Sequence, residues 1–228
     1  MSKGIRSTAV TATAVALCLI LTATAVAATI RGTDRSDRLV GSQRDDDISG
    51  RPGDDRVVAR RGNDLVLGGR GRDRIFGGDG RDTIRGGDGR DQVHGGPDRD
   101  HLEGGDDPDR IYGGRGDDVS RGGQGADTIF ANQGQDESFG FDGDDDLWAL
   151  ARADVTGGDD DNGDTLHGGN GDDRFHTRDG ERDRIDCGSG RDTAILDNED
   201  VIAGDGNGDC EDVQRADPSG ADGSESDD

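Results

Sequence analysis

Residues 68–94 read Gly68-Gly69-Arg70-Gly71-Arg72-Asp73-Arg74-Ile75-Phe76, Gly77-Gly78-Asp79-Gly80-Arg81-Asp82-Thr83-Ile84-Arg85 and Gly86-Gly87-Asp88-Gly89-Arg90-Asp91-Gln92-Val93-His94. The three nonamers share glycine at places one, two and four, aspartate at six and an aliphatic residue at eight. A fixed period of this kind decides the architecture before local propensity does, because every unit must adopt its neighbours' conformation. Carried outward, the frame runs unbroken over residues 32–148, thirteen units. Its sixth place is always aspartate: Asp37, Asp46, Asp55, Asp64, Asp73, Asp82, Asp91, Asp100, Asp109, Asp118, Asp127, Asp136 and Asp145. Its eighth place is apolar in eleven of the thirteen, with Ser120 and Ser138 the exceptions.

The polar residues that mostly flank the eighth place give the alternation of a short strand with one side chain turned inward. Glycine fits where a backbone turns through positive φ or comes close to an ion. Each unit therefore reads as a six-residue turn followed by a three-residue strand. One apolar residue per unit cannot bury itself, but stacked coils give a thin continuous core, with strands about 4.8 Å apart. Two units per coil set each aspartate above the one eighteen residues on. Carboxylates about 4 Å apart repel by about 1 kcal/mol in water and about 4 kcal/mol at an effective dielectric near 20. Such a column needs a cation. Ca²⁺ suits it by taking about six to eight oxygen ligands, including carbonyls that a glycine-rich turn aims inward, whereas Mg²⁺ demands a tighter octahedron and keeps its waters.

Composition supports a metal-dependent chain. The 228 residues are 28% hydrophobic and 3% aromatic, with 42 glycines, and 52 acids against 27 Lys and Arg give a net charge of −25. An acid-rich chain with so little apolar material is disordered on composition alone, yet regularly placed carboxylates let a metal supply the missing folding energy. The negative charge argues against nucleic acid as a partner.

Residues 1–27 differ from the rest. Lys3 and Arg6 precede an apolar run over 14–21, and Ala25-Val26-Ala27 has the small-x-small form of a signal-peptidase site. This reads as a cleaved secretory signal, which places the protein outside the cell. Thr11, Thr13, Thr22 and Thr24 interrupt the segment and make it a poor membrane anchor. Cys18 lacks the preceding small residue of a lipoprotein site. Cleavage removes Lys3 and Arg6 and no acid, taking the charge from −25 to −27, and leaves no membrane span. It also removes Cys18, so Cys187 and Cys210 remain as a pair in an oxidising setting and are read as a disulfide.

These units resemble the repeats-in-toxin (RTX), hemolysin-type calcium-binding family, whose unit is Gly-Gly-x-Gly-x-Asp-x-apolar-x. Residues 68–76, 77–85, 86–94, 122–130 and 168–176 match it in full. The resemblance implies an all-β parallel β-roll with two repeats per coil, and Ca²⁺ held between stacked turns by the sixth-place aspartates and turn carbonyls. By that reading Asp164 and Asp173 join the thirteen above as metal ligands. Thr33, Ser42, Arg51 and Arg60 occupy the second glycine place of the first four units, where weaker calcium binding is expected. Asp98 and Asp107 stand at the fourth place, which aspartate tolerates if the backbone is left-handed. Beyond Trp148 the phase slips. Asp154 keeps it, one residue is inserted before Asp164, and Thr177 is inserted before Asp183. The expected organisation is a signal peptide (1–27), the calcium-binding roll (28–148), degenerate repeats with a disulfide-tied C-terminal cap (149–213) and a disordered acidic tail (214–228). A Cys187–Cys210 bridge closes a loop worth about 3 kcal/mol, and a polar cap prevents open-ended stacking.

Asp205, Asn207 and Asp209 resemble part of an EF-hand loop but lack its bidentate acid, and a polar turn inside the disulfide loop is the favoured reading. His94, His101, His167 and His176 lack zinc spacing and suit solvent-facing strand positions. No catalytic constellation stands out, so the chain is read as non-enzymatic. If odd and even units form opposite sheets, the ninth places of the odd units line up as Val40, Val58, Phe76, His94, Tyr112, Phe130 and Trp148, beside Arg38, Arg56, Arg74 and Arg110. Phe76, Tyr112, Phe130 and Trp148 then mark an interaction face for a cell-surface polysaccharide or a protein. Simple strand propensity also favours aromatics there.

Overall fold

The computed structural model describes residues 27–149, 163–203 and 210–215. The signal segment up to Val26, Asp154, the Asp205–Asp209 turn and the tail from 216 lie outside the described residues. The first strands are β1 (Thr29–Arg31), β2 (Arg38–Val40), β3 (Asp47–Pro52), β4 (Arg56–Arg61), β5 (Leu65–Arg70), β6 (Arg74–Asp79) and β7 (Thr83–Asp88). They continue as β8 (Gln92–Gly96), β9 (His101–Asp106), β10 (Arg110–Arg115), β11 (Val119–Gln124), β12 (Thr128–Gln133), β13 (Glu137–Asp142) and β14 (Asp146–Trp148). The C-terminal strands are β15 (Thr165–Asn170), β16 (Arg174–Thr177), β17 (Arg184–Ser189), β18 (Thr193–Leu196), β19 (Val201–Ile202) and β20 (Asp212–Arg215).

Odd-numbered strands form one ten-stranded sheet and even-numbered strands the other, each in chain order and parallel. Val66 pairs with Ile84 and Ile75 with Val93, a step of eighteen residues, or two repeats. The protein is a parallel β-roll in which consecutive units alternate between sheets.

The strands are longer than the sequence reading expects. Most span six residues, from the seventh place of one unit through the third of the next, leaving a turn of three. The double glycine therefore belongs to the strand. The reason is a third inward-facing position. Asp64, Val66 and Gly68 are all buried while Leu65 and Leu67 are exposed, so places six, eight and one face inward. The first place must be small because the carboxylate lies against it. A Cβ built on Gly68 would stand 2.5 Å from Asp73 Oδ2 and 2.5 Å from the Gly86 carbonyl oxygen.

The eighth-place side chains form the core in two clusters, one from Ile48 to Ile129 and one from Leu147 to Leu196 that also holds Cys187 and Cys210. Ser120 and Ser138 pair with each other on the odd sheet, both buried, and no apolar side chain continues the core there. The stacking step is eighteen until Asp136 and Asp145, whose next partners are Asp164 and Asp173, each 28 residues on. That step exceeds two repeats by a whole unit plus one residue. Sequence phase alone put a single insertion there. The next steps, Asp164 to Asp183 and Asp173 to Asp192, are nineteen, as an inserted Thr177 requires. Cys187 and Cys210 are joined, with Cα atoms 5.5 Å apart, and tie β17 to the last coil. β20 reaches Arg215, two residues beyond the boundary drawn from composition.

Candidate metal centre

The sixth-place aspartate follows a three-residue turn and points inward because strand alternation leaves it no other side. Each stacks on the next through one of its oxygens. Asp73 N–H donates to Asp91 Oδ1 at 2.8 Å, and Asp91 N–H to Asp109 Oδ1 at 2.7 Å. Two columns result. One runs Asp37, Asp55, Asp73, Asp91, Asp109, Asp127, Asp145 and Asp173. The other runs Asp46, Asp64, Asp82, Asp100, Asp118, Asp136 and Asp164. All fifteen aspartates singled out in the sequence thus stand in the columns. Four acids that reading left out extend them: Asp192 and Glu211 in the first column, Asp183 and Asp200 in the second. Asp183 and Asp192 sit at the sixth place of loosely matching units and were legible, whereas Asp200 and Glu211 are out of phase.

The second carboxylate oxygen is the chemically informative atom. In Asp55, Asp64, Asp73, Asp82, Asp91, Asp100, Asp109, Asp118, Asp127, Asp145 and Asp173 it is buried and receives no hydrogen bond. A buried carboxylate oxygen without a donor costs several kcal/mol unless something positive meets it, on the order of 1–3 kcal/mol for the lost hydrogen bond alone. Burial is the largest cause of the raised pKa values along the columns, and repulsion from the aspartate eighteen residues earlier adds to it. Asp73 rises to about 6, Asp82 and Asp91 to about 7, and Asp100, Asp109 and Asp118 to about 8, although the Asp N–H bond pulls each down. The Gly68 position shows that a carbonyl oxygen faces the same small space as this carboxylate oxygen. An all-oxygen cradle with buried negative charge and little room fits a hard cation of the calcium type.

The first two turns are built differently. Thr33 donates both its N–H (2.6 Å) and its hydroxyl (2.8 Å) to Asp37 Oδ2. Ser42 N–H donates to Asp46 Oδ2 and its hydroxyl to Asp46 Oδ1, at 2.5 and 2.9 Å. Arg51 and Arg60 instead adopt the left-handed backbone that glycine holds elsewhere, with φ of 77° and 90°. Asp98 and Asp107 are left-handed too, both at φ 77°, as their place in the turn requires.

The outer face of the even sheet carries the expected ladder. Phe76, His94, Tyr112, Phe130, Trp148 and His176 stack in order, with centroid separations between 3.6 and 5.9 Å. Arg56 lies 5.2 Å above Phe76. Beside the ladder, Arg72, Arg74, Arg90 and Arg110 line a groove of about 320 Å³. His94 and His176 are rungs, and His167 stacks on Phe139 of the other sheet at 4.7 Å. Stacking, rather than metal ligation, accounts for these three.

The chain matches the family model for the RTX calcium-binding nonapeptide repeat in overlapping four-repeat copies that together span residues 31–194. No curated protein matches it.

Proposed function

Because the chain belongs to the RTX calcium-binding nonapeptide repeat family, whose repeats bind Ca²⁺, we propose that it is an exported, non-enzymatic protein whose roll folds as calcium enters its turns. The supporting observation is the row of buried carboxylate oxygens without donors, repeated turn after turn. The ligands would be the column aspartates from Asp55 to Asp173, each with a neighbouring turn carbonyl. When bound, calcium would supply the positive charge that these carboxylate oxygens do not receive from hydrogen-bond donors, and the carboxylate and carbonyl oxygens would supply its coordination. The chain contributes the rest. Small first-place residues clear space for the carboxylate, left-handed second and fourth places orient the carbonyls, and the eighteen-residue stack repeats the arrangement. Asp37 and Asp46, already satisfied by Thr33 and Ser42, bind calcium weakly or not at all. The basic and apolar leader supports export, and scarce calcium inside the cell would keep the chain unfolded until it leaves. The carboxylates are consumed in columns rather than opposed as an acid–base pair across a cleft, which supports a binding role. Circular dichroism during a calcium titration, with bound ions counted by mass spectrometry, tests the reading. β-structure complete in chelator at neutral pH would overturn it.

A second reading, adhesion to an extracellular polysaccharide or protein, is favoured by one observation: six stacked rings on an outer face, with a groove alongside lined by four arginines and by Asp73, Asp91 and Asp109. Sugar rings stack on aromatic faces and arginines pair with acidic substituents. The double substitution Tyr112→Ser and Phe130→Ser should abolish calcium-dependent retention on acidic polysaccharide, and equal retention would end this reading.

A further inference from the structure

The turn between β16 and β17 departs from every regular turn. Six residues, 178–183, separate these strands, where three separate β6 from β7. In the repeat frame, Asp179 and Glu181 occupy the second and fourth places, where glycine normally stands. The result is convergence rather than decay. One carboxylate oxygen each from Asp179, Glu181 and Asp183 lies within 4.8 Å of the other two. Two oxygens that ligate one calcium ion at about 2.3–2.6 Å cannot be more than about 4.6–5.2 Å apart, so a single ion can reach all three.

A second observation points into the same space. Asp183 is fully buried; its Oδ1 accepts the Asp164 N–H at 2.7 Å, and its Oδ2 has no donor. Asp179 and Glu181 are only half-buried, so the cluster opens to solvent on their side. The surroundings hold the three in place. Glu181 N–H donates to Asp179 Oδ1 at 3.0 Å, Gly180 N–H to Asp197 Oδ2 at 2.8 Å, and Asp183 N–H to Asp200 Oδ1 at 3.1 Å. Thr177, the inserted residue, donates its hydroxyl to Asp200 Oδ2 at 2.7 Å. Arg215 reaches in from β20, but to the carbonyl oxygens of Asp197 and Asp200. The packing thus crowds five acids together, and its donors meet Asp197 and Asp200 as well as one oxygen each of Asp179 and Asp183.

We propose that Asp179, Glu181 and Asp183 form a calcium site of a second kind, built from three side-chain carboxylates. An ion between regular stacked turns draws on the column aspartates of those two turns and on backbone oxygens, so a site of three side-chain carboxylates brings more negative charge to one ion and binds it more tightly, since ligand charge count is a main determinant of calcium affinity. All three ligands are oxygens, which excludes the nitrogen and sulfur ligation characteristic of zinc.

The test uses the full, oxidised chain and calcium alone. Ions per chain and their affinities are measured by equilibrium dialysis and native mass spectrometry for the wild type and for Asp179→Asn with Glu181→Gln, leaving Asp183 in its column. The double variant should lose one ion, taken from the tightest class, while its β-sheet dichroism at saturating calcium stays at the wild-type level. An unchanged ion count with the tightest class intact overturns the proposal. Glu181→Asp keeps the charge and shortens the reach. It should weaken only the tightest class, and no weakening counts against the site even if the double variant fails to fold. The outcome separates this site from the regular turns. A wild type that binds a single ion, abolished by the double variant, supports the carboxylate site while refuting calcium binding by the columns.

Discussion

Asp37 and Asp46 in the first two turns, and Asp73, Asp82, Asp91 and Asp100 in the central ones, occupy the same place in their repeats, and each donates its N–H to Oδ1 of the aspartate eighteen residues on. They differ at the other oxygen. In the first pair, local donors from Thr33 and Ser42 meet the carboxylate. In the central turns no donor among the described residues does. One fold thus carries two ways of keeping a buried carboxylate: a hydrogen-bonded cap complete in itself, and an open cradle that depends on a cation or a proton. The self-capped turns are the first two among the described residues.

The largest way to break this contrast is to change what fills the central cradles. The central aspartates carry folded-state pKa values of about 6 to 8 against an ordinary value of 3.8. A group with a raised folded pKa stabilises the fold when protonated. That contribution is complete below 3.8 and is lost as pH rises through about 6 to 8. In chelator, therefore, β-sheet dichroism should grow on acidification from pH 8 to pH 4. Calcium affinity should move the opposite way, weakening as protons compete below about pH 8. Dichroism that falls on acidification in chelator would contradict the open-cradle account.

The next largest effect belongs to the covalent end. The Cys187–Cys210 bridge spans 23 residues, and replacing both cysteines by serine should cost about 3 kcal/mol. Hydrogen exchange should show the loss in β17–β20, with the central coils unchanged at saturating calcium. Uniform loss along the roll would mean that the two core clusters act as one.

How far the sequence was legible depends on what kind of fact each feature is. The period, the two sheets and the thirteen aspartates from Asp37 to Asp145 follow from phase, because a strict nine-residue repeat with one inward carboxylate stacks in only one register, whereas Asp164 and Asp173 rested on the family resemblance. The 28-residue step after β14 does not follow from phase. Residue counting shows a slip of one before Asp164, whereas Asp136 and Asp145 are followed in their columns by Asp164 and Asp173, 28 residues on. Strand length was misread because glycine suggests a turn, whereas at Gly68 its small size serves the Asp73 carboxylate. Thr33 and Ser42 read only as missing glycines. The available signal was a hydroxyl residue four places before the aspartate, a local cap of the kind such side chains form. Asp179 and Glu181 likewise read as decay, since their convergence exists only once the turn is wound.

Two smaller tests sharpen the contrast at single residues. Asp100→Asn removes a buried charge and a ligand together, so its effect should reverse with conditions. In chelator at pH 8 the variant should be the more stable. In calcium its folding midpoint should shift to about tenfold higher concentration, as loss of one ligand charge predicts. Asp37→Asn, in a turn that Thr33 already satisfies, should leave the calcium midpoint where it is, and an equal shift for both variants would erase the distinction between the two regions.

Ser42→Ala gives the smallest effect and isolates the cap itself. The substitution keeps the backbone N–H on Asp46 Oδ2 and deletes the hydroxyl bond to Oδ1, which also accepts the Ala28 N–H at 2.7 Å, together with the 3.2 Å bond that Ser42 Oγ accepts from the exposed Arg44 N–H. Losing one hydrogen bond to a charged acceptor that keeps two others should cost about 1 kcal/mol. The cost should be the same with calcium and with chelator, because the cap works without an ion. It should be read as a faster exchange of amides in β1 and β3, since global unfolding is dominated by the central coils. A loss that appears only in chelator would mean that calcium takes over when the hydroxyl is gone, and the first turns would then differ from the central ones by competition for one cradle rather than by construction.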